Sequence, residues 1–327
     1  MQLPPNQDVR GLRVAVTGAA GFIGSHLVDS LLVHGAREVI AIDSLAFGAW
    51  TNILAASDRR VCLIETDFAR LSGSELVKML DGVDVLLHFA AEKHNNAIDT
   101  PDRVIDVNIA GTHRLYEAAG QAGVGGVIFA SSLYAYGRMS GGPMIEHEAA
   151  MAQTVYGVSK LAGEGLLRQS ALKHGFRHKS LRFFFVYGPR QFAGTGYPSV
   201  IVRNLNRILA QEPPVIFGDG LQVLDYVFVR DVVEAVFAAL ACHSNDDVIN
   251  VGSGHGVSVV DLTKAMLSVS GSSLSPALAP PDATAGSCRI ADVSRAQRQL
   301  GWRARTPLYD GLRQVWEWLS AAPARIS

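Results

Sequence analysis

The sequence predicts an α/β protein built on a doubly wound parallel sheet, with a smaller C-terminal α/β lobe. Three observations carry that prediction. Short β-branched apolar runs alternate with helical patterns along the first part of the chain, and a glycine-rich turn joins the first run to the first helix. After Gly188-Pro189-Arg190 the regular alternation gives way to longer loops and shorter elements.

Strands are predicted over 12–17, 37–42, 60–65, 83–90, 125–131 and 178–185, and long helices over 101–122 and 153–174. Thr154 can cap the second helix, whose body carries Leu161, Leu166 and Leu167. Beyond it, Pro213-Pro214 and a Ser-, Ala- and Pro-rich stretch over 270–286 mark the change of texture. These features divide the chain into a first domain over 1–188 and a second lobe, mainly 189–327, seated over the carboxyl edge of the sheet, with a return to the first domain around 224–252.

Composition excludes several classes. With 327 residues, 48% of them hydrophobic, the chain can bury a sizeable core. Its 29 basic and 30 acidic residues leave a net charge of −1, which supplies no general field for nucleic acid or an anionic membrane. Cys62, Cys242 and Cys288 are far apart and lack metal-ligand spacing; Cys62 and Cys242 sit in apolar runs and are expected in the core. No metal site and no disulfide framework are predicted. The start, Met1-Gln2-Leu3-Pro4-Pro5, has no apolar signal core and no stretch approaches an uncharged 18-residue span, so a cytoplasmic protein is expected.

The glycine turn is the most informative stretch. Val14-Ala15-Val16 leads into Thr17-Gly18-Ala19-Ala20-Gly21-Phe22-Ile23-Gly24, followed by a helix, a second apolar run and Asp43. That is the order a Rossmann-type sheet uses to hold the adenosine half of a dinucleotide. Gly18 and Gly21 let the backbone turn tightly against the pyrophosphate, Gly24 lets the helix lie close to the sheet, and the phosphates face the helix N-terminus. Asp43, 19 residues after Gly24, is placed to accept from a ribose diol and to repel a 2′-phosphate, which favours NAD over NADP. A glycine turn in an ordinary βαβ unit is the alternative; the strand context and Asp43 favour the cofactor site.

A second constellation follows at Ser131-Ser132 and Tyr156-Gly157-Val158-Ser159-Lys160. Tyr156 and Lys160, four apart, share one helix face. A phenol with an ordinary pKa of about 10 is a poor base, but an adjacent ammonium together with an oxidised nicotinamide favours its ionised form. Ser132 would orient a substrate oxygen while Tyr156 exchanges its proton. A Tyr and a Lys at this spacing can also be a plain surface pair; the preceding glycine loop, Asp43 and Ser132 favour catalysis.

Taken together these motifs resemble the extended short-chain dehydrogenases/reductases of the NAD-dependent epimerase/dehydratase family. The likeness runs in order along nearly the whole chain: TGAAGFIG from Thr17, Asp43, Thr66-Asp67-Phe68, His88-Phe89-Ala90-Ala91, Asn108–Thr112, SSLYAYG from Ser131, YGVSK from Tyr156 and LRFFFVYGPRQ from Leu181. IFGDGLQ from Ile216, Asp225–Asp231, Asn250–Gly254 and Leu300-Gly301-Trp302 continue it. The resemblance implies that Phe22 and Ile23 join the glycines at the cofactor, that Asp67 and Phe68 flank the adenine, and that Ala90 and Lys93 lie along the dinucleotide. It implies that Asn108 orients the sheet edge and cofactor and that Phe183 and Phe184 pack near the nicotinamide, while core packing explains the same aromatics equally simply. It further implies a sugar epimerase with tightly bound NAD, working through a transient 4-keto sugar, and a homodimer through the helices of 101–122 and 153–174.

The departures from the family pattern fall on the substrate side. Phe185 stands where the family has a phosphate-contacting Asn, Leu224 where it has an Arg, and a late Arg is missing around 280–285. Either Arg190, Arg203, Arg207 or Arg289 substitutes, or the ligand carries no diphosphate. Leu133 and Tyr134 replace the Asp-Glu of the 4,6-dehydratases, which argues against that reaction; Tyr134 is either an extra acid/base or a packed aromatic. Glu92, His94 and Asn95 follow the fourth strand's carboxyl end, where ligands bind in such sheets. The expected function is an NAD-dependent epimerase of a nucleotide-activated sugar, with an oxidoreductase or dehydratase acting on a carbohydrate or secondary metabolite lacking the diphosphate as the alternative.

Overall fold

The computed structural model describes residues 9–94, 96–137, 142–148, 150–191, 199–242, 248–282 and 284–321. Asn95 and the first residues, on which two of the expectations above rest, lie outside them.

The chain begins as the alternating pattern dictates, with β1 (Arg13–Thr17), α1 (Phe22–Val33), β2 (Glu38–Asp43), β3 (Val61–Glu65), α2 (Gly73–Met79) and β4 (Val85–His88). Short helices α3 (Asn96–Asp99) and α4 (Pro101–Ile105) precede a π-helical turn over Asp106–Gly111, which runs directly into α5 (Thr112–Gln121). β5 (Gly126–Ser132), α6 (Val155–His174) and β6 (Arg177–Phe183) complete the first half. Then come β7 (Phe185–Tyr187), α7 (Val200–Leu209), β8 (Val215–Phe217), β9 (Val223–Phe228), α8 (Val229–Ala241), β10 (Val248–Val251), β11 (Gly256–Ser258), α9 (Val259–Ser270), β12 (Ala277–Ala279), β13 (Cys288–Arg289), α10 (Ser294–Leu300) and α11 (Leu308–Ser320).

The main sheet has seven parallel strands in the order β10-β6-β5-β4-β1-β2-β3. The inner strands β1, β2, β4 and β5 bury both faces, which is why they read as nearly continuous apolar runs, whereas the edge strand β3 leaves Cys62 and Leu63 exposed. Val14 and Val16 join the core beneath α1, α8 and α10, and Ala15 between them joins the opposite core beneath α2, α5 and α6. The connections from β1 run to β2 on one side while β4 lies on the other, so the strand order reverses at β1 and opens a crevice at its carboxyl end.

Some boundaries differ from the sequence reading for identifiable reasons. The strand predicted over 178–185 breaks at Phe184, and β7 leaves the main sheet to pair with β9 in a separate four-stranded sheet with β11 and β13. The return to the main sheet is therefore made by α8 and β10, not by β9. The helix predicted over 101–122 carries the π turn, which adds one residue per turn and rotates Asn108 towards the loop after β4. Thr154 caps α6 as expected, its Oγ1 accepting from Gly157 N at 3.0 Å. Cys62 is exposed because β3 is the edge strand and so lies outside the core, while Cys242, just past the end of α8, is half-buried and packs against the main core. Among the described residues no helix is long and apolar enough to cross a membrane.

Candidate active site

The crevice at the end of β1 deepens into a cavity of about 440 Å³ lined by Gly18, Gly21, Phe22, Ile23, Gly24, Asp43, Asp67, Phe68, Ala90, Glu92 and Lys93, and at its other end by Ser132, Tyr156, Lys160, Phe183 and Phe184. Residues as far apart as Gly18 and Phe184, 166 positions in the chain, are thus brought together. At Gly18, φ is +70°, and a Cβ would stand 2.7 Å from Ala90 N, so only glycine lets the turn approach the loop that follows β4. A Cβ on Gly24 would lie 2.0 Å from the Gly18 carbonyl oxygen; its close partner is the loop itself, where the sequence suggested the sheet.

The cavity's floor is set by a buried polar chain. Thr17 Oγ1 accepts from Phe89 N and Ala90 N, both at 3.2 Å, and lies 2.7 Å from His88 Nδ1, whose Nε2 is 3.0 Å from Thr112 Oγ1. Burial, with the Lys160 cation adding to it, pushes His88 down to about 3, so the ring is a neutral strut between β1 and α5. Asn108 is buried behind the wall rather than on it: its carboxamide accepts from Glu92 N at 2.8 Å and donates to the Glu92 carbonyl and to Ser159 Oγ, each at 3.1 Å.

At one end, Asp43 is held by Ala20 N on Oδ2 at 2.9 Å and Leu45 N on Oδ1 at 2.8 Å, with lone pairs and negative charge still facing the cavity. Arg103 bridges Asp67 and Glu92, the latter at 3.2 Å, and lines the same space. Nothing in the sequence singled out Arg103, because an arginine on a helix carries no motif. Phe47, in the loop after β2, also lines the cavity and belongs to no motif; Lys93 Nζ lies 4.4 Å from its ring centroid. Such a cavity fits NAD: a glycine cradle, a carboxylate at one end that repels a 2′-phosphate, and a hydroxyl, phenol and amine at the other.

At that other end, Lys160 Nζ donates to the Ala130 carbonyl at 2.8 Å and lies 5.6 Å from the Tyr156 ring centroid. Burial pushes Tyr156 up to about 12, and a hydrogen bond with Ser132 acts against it. Burial pushes Lys160 down to about 7, with the Glu164 carboxylate acting the other way. Among these side chains only the Ser132 hydrogen bond acts to lower the phenol, so the expected drop towards neutral pH requires the added positive charge of an oxidised nicotinamide.

A second cavity, about 620 Å³, adjoins the first across Val186 and Gln191. His94, Tyr134, Phe185 and Leu224 line it, as do Arg203, Gln222, Tyr226, Asp282 and Thr284. The His94 and Tyr134 rings stack at 4.2 Å, and each meets the Tyr156 ring edge-on at 5.8 Å, so this space begins at the phenol. Tyr134 is thus part of an aromatic stack. Arg190 is elsewhere: it pairs with Asp29 at 2.7 Å on the far side of α1 and lines neither cavity. Glu92 faces the first cavity and not the second. Arg207 is bound to Glu212 and the Pro213 carbonyl, while Arg289 lies with its guanidinium carbon 5.6 Å from the Tyr134 ring centroid.

Known proteins with this arrangement agree. The model of the NAD-dependent epimerase/dehydratase family matches residues 14–252. A UDP-glucose 4-epimerase from Mycolicibacterium smegmatis is 34% identical over 314 residues, covering 94% of this chain and 98% of its own. The structure of a UDP-glucose 4-epimerase from Thermotoga maritima with UDP-glucose superposes with a TM-score of 0.88 at 32% identity, covering 95% of this chain and 99% of that one. A UDP-glucuronic acid 4-epimerase from Bacillus cereus, in complex with UDP-glucuronic acid and NAD, gives a TM-score of 0.85 at 30% identity over 95% and 99% of the two chains. On the family match across most of its length and on these relatives, this chain belongs to the NAD-dependent epimerase/dehydratase family.

Proposed function

We propose that the protein is an NAD-dependent 4-epimerase of a nucleotide-activated sugar. The observation that carries this reading is the meeting of the two cavities at one phenol: Ser132, Tyr156 and Lys160 end the first, and the rings of His94 and Tyr134 connect Tyr156 to the second. When bound, NAD supplies reversible hydride acceptance. The chain's own work is then to hold a sugar hydroxyl against Ser132, to take and return its proton at the Tyr156 oxygen, and to hold a positive charge at Lys160 Nζ beside the phenol. The glycine loop and Asp43 seat the adenosine half, with Asp67, Phe68, Ala90 and Lys93 along the dinucleotide and Asn108 positioning the loop behind it. In this division the main sheet carries the cofactor and the smaller sheet, with α7 and α9, carries the substrate.

Support also comes from the relatives, whose 4-epimerases act on UDP-sugars. The test is conversion of UDP-glucose to UDP-galactose by the NAD-loaded protein, followed by proton NMR: turnover without net NADH is expected, and Tyr156→Phe should abolish it. Equal turnover in Tyr156→Phe would overturn the reading. A second reading is favoured by Phe185 and Leu224, which place apolar surface in the second cavity: a sugar substrate without a diphosphate. A melt raised by UDP-glucose rejects it; a melt raised by NAD alone supports it.

We further infer a homodimer and a cytoplasmic setting. The dimer is supported by exposed apolar side chains on the two helices named for it, Ile105, Val158 and Leu172. The cytoplasm is supported by three free cysteines.

A further inference from the structure

Tyr156, Lys160 and Glu164 succeed one another at four-residue steps on α6 and so share one helix face. Glu164 is buried, and its carboxylate is occupied on both oxygens. Oε1 accepts from Ser131 Oγ at 2.5 Å and from Arg182 Nε at 2.8 Å, and Oε2 accepts from Arg182 Nη2 at 2.8 Å. The register of β5 and β6 puts Ser131 beside Arg182, so one carboxylate of α6 ties two strands of the sheet together. Immediately before, Lys160 Nζ holds the Ala130 carbonyl; immediately after comes Ser132. Two successive residues of β5 are therefore pinned to α6 just ahead of the hydroxyl that faces Tyr156.

The charges around Lys160 point the same way. On its own helix stand Tyr156 and Glu164; β4 contributes the neutral His88, β5 the Phe129 ring at 4.9 Å, and β6 the Arg182 cation on the far side of Glu164. Burial works against the ammonium, and Glu164 is the charge that works for it.

We propose that Glu164 is a positioning residue for the reaction, favouring the ammonium form of Lys160 beside Tyr156 and fixing Ser132 through its hold on Ser131. Arg182 anchors the carboxylate from the side away from Lys160. The proposal rests on the reading of Tyr156 and Lys160 as the reacting pair.

The test is the pH profile of kcat for the NAD-loaded enzyme. Glu164→Gln keeps the shape of the side chain and removes its charge, so the alkaline limb, where Lys160 loses its proton, should move down by about one pH unit. At pH 9 the loss should approach about tenfold, while at pH 6.5 it is only about threefold. Glu164→Asp, which keeps the charge on a shorter arm, should lower kcat and leave the limb in place. A uniform loss at all pH values in Glu164→Gln, with the limb unmoved, overturns the proposal. Because Arg182 without its partner is a buried lone cation that can unfold the chain, the double variant Glu164→Gln/Arg182→Met serves as the second arm. It should keep the lowered limb; a return to the wild-type limb would assign the effect to the uncovered arginine and overturn the proposal. Failure of the underlying reading shows separately, as unchanged turnover in Tyr156→Phe.

Discussion

Replacing Gly24 by Ala tests the cofactor cradle most sharply, because the obstruction can be read from the structure. The new methyl carbon would lie 2.0 Å from the Gly18 carbonyl oxygen and 2.9 Å from Ala19 Cα, so loop and helix must part by about 1.4 Å to restore ordinary contact. Both neighbours are backbone and cannot swing aside as a side chain could. Overpacking of this kind costs about 1–3 kcal/mol, partly offset by about 0.5–1 kcal/mol gained on replacing a helical glycine. The same separation moves Gly18, whose left-handed turn faces the cofactor, so a further loss of about 2 kcal/mol in NAD binding, roughly thirtyfold in Kd, is expected. Urea unfolding gives the stability and isothermal titration gives the affinity. Gly165→Ala, in α6 with no atom within 4 Å of the new Cβ, is the control and should be neutral or stabilising. If Gly24→Ala binds NAD within twofold of wild type and unfolds at the same urea concentration, the cradle is not what admits the cofactor.

Other perturbations follow from the same structure. Lys160 has a folded pKa near 7 against an ordinary 10.5, so between these values the unfolded chain binds more protons and stability rises with pH. Lys160→Met should remove part of that rise between pH 7 and 9, up to about 1.4 kcal/mol per pH unit, as read by urea midpoints; an unchanged slope would contradict it. Thr17→Val leaves Phe89 N, Ala90 N and His88 without their shared oxygen and should cost about 1–3 kcal/mol, measured by urea unfolding. Leu224→Arg puts a guanidinium into the second cavity and should tighten UDP-glucose binding about tenfold by calorimetry if a diphosphate lies there, with no effect if it does not.

The cofactor half was legible because its chemistry is local. Gly18, Gly21 and Gly24 lie within one turn, Asp43 ends the next strand, and Tyr156 and Lys160 are one helical turn apart, so spacing alone set them on common faces. The substrate half was less legible because its wall is assembled from β7, β9, α7 and the loop around Asp282, none of which pair in sequence order. Arg190 shows the limit: a cation following a motif reads as an anion ligand until Asp29 is found against it. Glu164 shows the converse, since a glutamate within a helix gives no sign of Ser131 and Arg182, 33 and 18 residues away. The shift of Tyr156 upward was also beyond the sequence, because burial depends on what the second cavity's rings cover.

The central claim is that a hydrogen leaves the sugar's C4 and returns to the same carbon within one enzyme. UDP-glucose deuterated at C4, incubated with the NAD-loaded protein in ordinary water, should give UDP-galactose that retains the label at C4, with no NADH released, and Tyr156→Phe should leave the substrate unchanged. Loss of the label to solvent, or one NADH released per sugar consumed, would contradict it.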